Sequence, residues 1–151
     1  MLILNMQESS TNAGLQQVVF TLSQAPVSWR STIQFTVALS TTKAKYMAMT
    51  EAMKEVIWLQ RLLDDLRIDQ DLLKINCDSM SAIYLAKNQV YHARTKYIVL
   101  RFHFVREILD EGDIELLKIH TKENPADMLT KFVQGVKFAH CKELLHILQV
   151  A

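Results

Sequence analysis

Leu72-Leu-Lys-Ile-Asn-Cys-Asp78 is a short apolar run that ends on a carboxylate, and the rest of the chain is ordered around it. Leu72 to Cys77 has the length and composition of a buried strand, and a short helix is predicted from Ser81 to Ala86. Upstream, residues 42–67 carry Met49, Ala52, Met53, Val56, Leu59, Leu63 and Leu66 at spacings of three and four, the apolar stripe of an amphipathic helix. Ser40-Thr-Thr42 offers side-chain oxygens to cap it. Downstream, Ile98 to Glu111 is predicted helical, with Phe102, Val105, Ile108 and Leu109 on its apolar side and Gly112 as its stop. Ile114 to His120 is a second strand, Asn124-Pro-Ala-Asp127 opens a further helical stretch, and Phe138 to Leu148 is a C-terminal helix. At the other end, Val18–Leu22, Val27–Trp29 and Ile33–Leu39 suggest an antiparallel meander. Residues 1–15 have no clear period and are expected to fray. Strands first, then alternating helices and strands, give an α/β (α+β) sheet with helices on its faces.

Composition narrows the function classes. The chain has 151 residues, enough for one domain, and half of them are apolar, which excludes a disordered tail. Its 17 Lys and Arg against 16 Asp and Glu exclude a strongly basic or acidic chain while leaving local patches open. Residues 1–42 carry only Glu8 and Arg30. Cys77 and Cys141 have neither zinc-ligand spacing nor a disulfide framework, so a reducing, intracellular compartment (cytoplasmic or nuclear) is expected. No apolar run approaches the ~18 residues of a membrane span, and Met1–Met6 is too short and uncharged for a signal peptide. Trp29, Trp58 and the seven Met are assigned to the core, and Cys77 to a buried strand.

Two carboxylates stand where chemistry could use them. Asp78 follows an apolar strand and Asp127 lies at a Pro-containing helix start. Carboxylates at the ends of neighbouring elements can converge on a hard cation such as Mg²⁺. The alternative is that both only support helix N-termini, Asp78 capping the helix that begins at Ser79.

The order and spacing of several segments resemble the ribonuclease H domain of copia-type retrotransposon polyproteins, the plant elements above all. They are Val27-Ser-Trp29, Thr36-Val-Ala-Leu-Ser-Thr-Thr-Lys-Ala-Lys-Tyr-Met-Ala48, Glu51-Ala52, Ile57-Trp-Leu59, Asn76-Cys-Asp78 with Ser81-Ala-Ile83, His92-Ala-Arg-Thr-Lys96, Arg101-Phe-His-Phe-Val-Arg106, Ile119-His-Thr121 and Asn124-Pro-Ala-Asp-Met-Leu-Thr-Lys131. The resemblance implies a ribonuclease H-like mixed sheet flanked by helices over residues 18–148, with 1–17 a divergent N-terminal segment and 149–151 a tail. It implies an ancestral hydrolysis of RNA in RNA–DNA hybrids with Mg²⁺ (or Mn²⁺). That chemistry gathers about four carboxylates around two metal ions. Asp78 and Asp127 match the third and fourth of them, as catalytic and metal-ligating residues. The second position is Lys45, a change of two charge units. The first-strand carboxylate has no counterpart, so the first strand is expected to be missing or replaced.

The same resemblance marks Lys43, Lys45, His92, Arg94 and Lys96 as candidate nucleic-acid contacts. Lys43 and Lys45 stand where the family carries Glu. With the helix N-terminus they could turn a metal site into a phosphate site, although neutral drift is the plainer explanation. Tyr91 to Arg106 holds Arg94, Lys96, Arg101 and Arg106 with His92 and His103 and no acidic residue, and a solvated helix face pairing with Glu107, Asp110 and Glu111 explains it equally. The expected function is therefore a ribonuclease H-like domain that is inactive or strongly impaired, a pseudoenzyme. The alternative is a non-enzymatic nucleic-acid-binding or protein-interaction module with a co-opted host role. Metal binding is expected to be weak, and a lost first strand would leave a sheet edge open for self-association.

Overall fold

A computed structural model of the chain describes residues 2–8, 15–22, 25–33, 40–69, 72–88, 96–129 and 132–147. Five strands, β1 (Leu2–Glu8), β2 (Leu15–Leu22), β3 (Ala25–Ile33), β4 (Leu73–Cys77) and β5 (Ile114–Lys118), form one sheet in the order β3-β2-β1-β4-β5. β1 pairs antiparallel with β2 and parallel with β4, and β4 pairs parallel with β5, so the sheet is mixed. The predicted third strand of the meander, Ile33–Leu39, falls almost wholly outside the described residues.

The first strand is therefore replaced and not missing. Leu2–Glu8 is the middle strand of the sheet, and the expected frayed end over 1–15 is corrected at these positions. The polar residues that hide its strand character, Asn5 and Gln7, alternate with Leu4 and Met6. In register, Leu4 and Met6 stand beside Ile75 and Cys77, while Asn5 stands beside Asn76 on one side and Val19 on the other. Because β1 fills the centre, the edge expected from its loss is closed, and among the described residues the sheet's outer strands are β3 and β5.

Helix α1 (Thr41–Asp65) starts at Ser40, whose hydroxyl accepts from the Lys43 N–H at 3.2 Å. Its stripe Met49, Ala52, Met53, Val56 and Leu63 is buried, with Leu59 partly so, while Leu66 lies past the last turn and is exposed. The helix ends with Arg67 at φ 57°, the Ile68 N–H donating to the Leu63 carbonyl and the Arg67 N–H to that of Asp64, a Schellman closure. Helices α2 (Met80–Lys87) and α3 (Lys96–Glu111) make the crossover that parallel β4 and β5 require. Together with α1 they bury Phe20, Ile75, Cys77, Phe102, Val105, Ile108 and Leu116 on one sheet face. On the other face Val19 packs with Ala126 of the 3-10 turn Pro125–Leu129 and with Leu145, just beyond α4 (Gly135–Leu144). Trp29 and Trp58, assigned to the core by sequence, are 67% and 60% exposed. Trp29 lies on edge strand β3, and Trp58 lies off the buried stripe of α1.

Candidate functional site

Asp78 lies at the end of the sheet where parallel β1 and β4 finish, the place where open α/β sheets present side chains to ligands. Asp78 is the residue after β4, and the Asp127 turn packs against β1 and β2. Asp78 does not cap α2. Ser79 does, its hydroxyl accepting from the Ala82 N–H at 3.3 Å. This frees the Asp78 carboxylate to face α1, where the Lys45 ammonium donates to Oδ1 at 2.5 Å. The Asp78 side chain is only 5% exposed and that of Lys45 22%. Lys118, at the end of β5, donates to the main-chain carbonyls of Asp78 at 2.5 Å and Ile119 at 3.0 Å. Asp127, also buried, pairs with Lys137 of α4. Each acid is thus tied to a lysine from a different element.

Between them, β1 supplies no aspartate. The β1–β4 register ends at the Met6–Cys77 pair, and Glu8, the sole acid of the strand, is its last residue, paired in register with Gln16. Glu51 does not substitute for Lys45, because its carboxylate pairs with Lys54 at 2.9 Å and Arg101 at 3.7 Å. Among the described residues no group of three His, Cys, Asp or Glu is placed to hold a metal ion. A divalent cation about 4 Å from the Lys45 ammonium would be opposed by roughly 8 kcal/mol at an effective dielectric of about 20, unless the lysine withdrew. The residues present do not fit the metal pair that the resemblance implies.

The other sequence candidates divide. Lys43 follows the N-cap on the same end of the molecule, beside Lys45. Lys45 is engaged with Asp78, which argues against its acting as a free phosphate ligand. Lys96 opens α3, and His92 and Arg94 lie outside the described residues. Of the remaining basic segment, Arg101 pairs with Glu51 of α1 and Arg106 donates to the Asn88 carbonyl at 2.5 Å, not to the acids of their own helix. His120 starts the 3-10 turn Thr121–Glu123, with Nδ1 accepting from the Lys122 N–H at 3.2 Å. Lys118 and Lys137 are not singled out by sequence, since their place beside Asp78 and Asp127 depends on how β5 and α4 fold back. Burial pushes the Cys77 thiol above its ordinary value; the Ser79 hydrogen bond and nearby Lys45 and Lys118 oppose the rise and Asp78 adds to it. Burial likewise raises Cys141.

The chain is 54% identical over 127 residues to the retrovirus-related Pol polyprotein from transposon TNT 1-94 of Nicotiana tabacum, covering 84% of this chain and 10% of that protein. The chain is a homologue of plant-transposon Pol polyproteins. A second such relative, from transposon RE2 of Arabidopsis thaliana, is 33% identical over 130 residues, 85% of this chain and 9% of the relative. The chain therefore spans about a tenth of the curated relatives it matches. No protein-family model matches it. Among solved structures, LC11-RNase H1 in complex with RNA/DNA hybrid superposes with a TM-score of 0.60 at 19% identity, covering 85% of this chain and 93% of that one. The prototype foamy virus protease-reverse transcriptase superposes with a TM-score of 0.56 at 12% identity, covering 96% of this chain and 20% of that one. The fold is ribonuclease H-like. No helix among the described residues is long and apolar enough to cross a membrane.

Proposed function

We propose that this chain is a ribonuclease H-like domain, of the copia type its motifs resemble, that holds RNA–DNA hybrid without hydrolysing it. The observation that carries the reading is the Lys45–Asp78 pair: a cation anchored on a carboxylate that hydrolysis would need for metal. The absence of aspartate from β1 removes a further ligand. Hybrid is the favoured substrate class because the ribonuclease H1 relative in fold was solved with one. Lys43, at the start of α1, and Lys118 and Lys122, at and just beyond the end of β5, also carry positive charge, and such charge serves phosphate-backbone contact. His92, Arg94 and Lys96 extend the proposed contact.

The test is fluorescence anisotropy of a labelled hybrid at low and moderate salt with Mg²⁺ present, followed by electrophoresis of the same sample. Salt-weakened binding with the RNA strand intact supports the reading. Cleavage that Asp78→Asn abolishes, or no binding even at low salt, overturns it. A protein partner is the second reading. It is favoured by Trp58, Leu62 and Leu66, exposed at spacings of four along α1. Absence of hybrid binding together with concentration-dependent association in sedimentation would select it.

A further inference from the structure

Each buried carboxylate at the end of the sheet already has a cation. The Asp78 side chain meets Lys45 of α1, its main-chain carbonyl meets Lys118 of β5, and Asp127 meets Lys137 of α4. A carboxylate almost wholly removed from water requires a counter-charge. In these pairs the counter-charge is covalently part of the chain and also joins separate elements. We infer that Lys45 is a resident counter-ion: its ammonium occupies the place at Asp78 that a divalent cation would take, so that the fold and the site are complete without metal. Lys137 does the same at Asp127. Lys45 is a positioning residue, clipping the start of α1 to the end of β4, and its charge opposes any second cation at Asp78 while it is there. At Asp78 the exclusion resides in this one side chain. Removing that ammonium leaves a buried carboxylate without its counter-charge, and a carboxylate oxygen is a ligand for a hard divalent cation.

Thermal unfolding of the full chain with Mg²⁺, Mn²⁺ or EDTA tests this without reference to hydrolysis. Wild type is expected to show the same Tm in all three. Lys45→Glu is expected to melt lower than wild type in EDTA, because it sets a second carboxylate against Asp78, and to recover in Mn²⁺. A site with a Kd of about 1 mM would raise Tm by roughly 3–6 °C at about 10 mM metal. Lys45→Gln, a milder change that keeps the fold if Lys45→Glu does not, is expected to show a smaller rise in the same direction. A wild-type Tm that climbs with Mn²⁺ and stops climbing in Asp78→Asn would overturn the inference, since Asp78 would then bind metal beside the lysine. Failure of both Lys45 variants to gain any metal response would overturn it too. Hybrid binding is not read in this experiment, so it and the proposed function fail separately.

Discussion

Replacing Lys45 by Met leaves Asp78 buried with its counter-charge gone, and the structure sets the size of the penalty. Breaking a fully buried ion pair by removing one member costs about 3–5 kcal/mol, whereas an exposed pair contributes about 0.2–1 kcal/mol. Asp78 is almost sealed and Lys45 is about one-fifth exposed, so this pair falls between. Water reaching the ammonium screens part of the attraction, and Lys118 still faces the Asp78 main chain. We expect a loss near 2 kcal/mol, which in a domain of this size lowers Tm by roughly 4–8 °C. Asp78→Asn alone is expected to cost somewhat less, because the lysine can swing into solvent. The double variant Lys45→Met/Asp78→Asn should cost no more than Lys45→Met by itself, since neither charge is then stranded. Urea denaturation of all four proteins, followed by far-UV circular dichroism, closes the double-mutant cycle. A coupling of about 1–2 kcal/mol agrees with the geometry. Additivity within about 0.5 kcal/mol would mean that the two side chains do not interact, and the resident-cation argument would fail with it.

Other consequences follow from particular elements. Deleting residues 1–8 removes the strand between β2 and β4, and the truncated chain should lose its cooperative thermal transition; retention of it would show that β1 is not the centre of the sheet. Ile75→Ala, at a fully buried position in β4, is expected to destabilise by about 2–5 kcal/mol in urea titration. Arg67→Gly should stabilise by up to about 1 kcal/mol in the same titration, because Arg67 closes α1 at a positive φ that glycine adopts without a Cβ penalty. Cys77, buried and with its thiol held above the ordinary 9.0, should react with a disulfide reagent at pH 8 far more slowly in the native protein than in urea. The sign on stability follows. The folded state keeps the thiol protonated, so its contribution is present below about pH 9 and is lost as pH rises through the folded value.

The helices and the two later strands were legible because their signals are local. The stripe of α1, the run Leu72–Cys77 and the stop at Gly112 each depend on neighbours within a few residues, and the observed boundaries differ from the expected ones by few positions. β1 was not legible. Leu-Ile-Leu-Asn-Met-Gln-Glu is strand-like only when placed between β2 and β4, and pairing over long sequence separations leaves no local mark. The two Trp were misassigned for a related reason: size and apolarity favour burial, but an edge strand and the outer side of a helix leave little to bury them against. At the site, Asp78, Asp127 and Lys45 were visible from the family resemblance. The pairing of Lys45 with Asp78 was not, because a lysine stem reaches several directions and only the packing of α1 against β4 selects one. Lys137 and Lys118 were out of reach of sequence for the same reason.

The most direct measurement is incubation of a uniformly labelled RNA–DNA hybrid with the wild-type chain in millimolar Mn²⁺, the more permissive metal, alongside Lys45→Glu. Both samples should return full-length RNA, because restoring one acid leaves β1 without an aspartate beside Asp78. Cleavage by the wild-type chain that disappears in Asp78→Asn would contradict the non-hydrolytic reading.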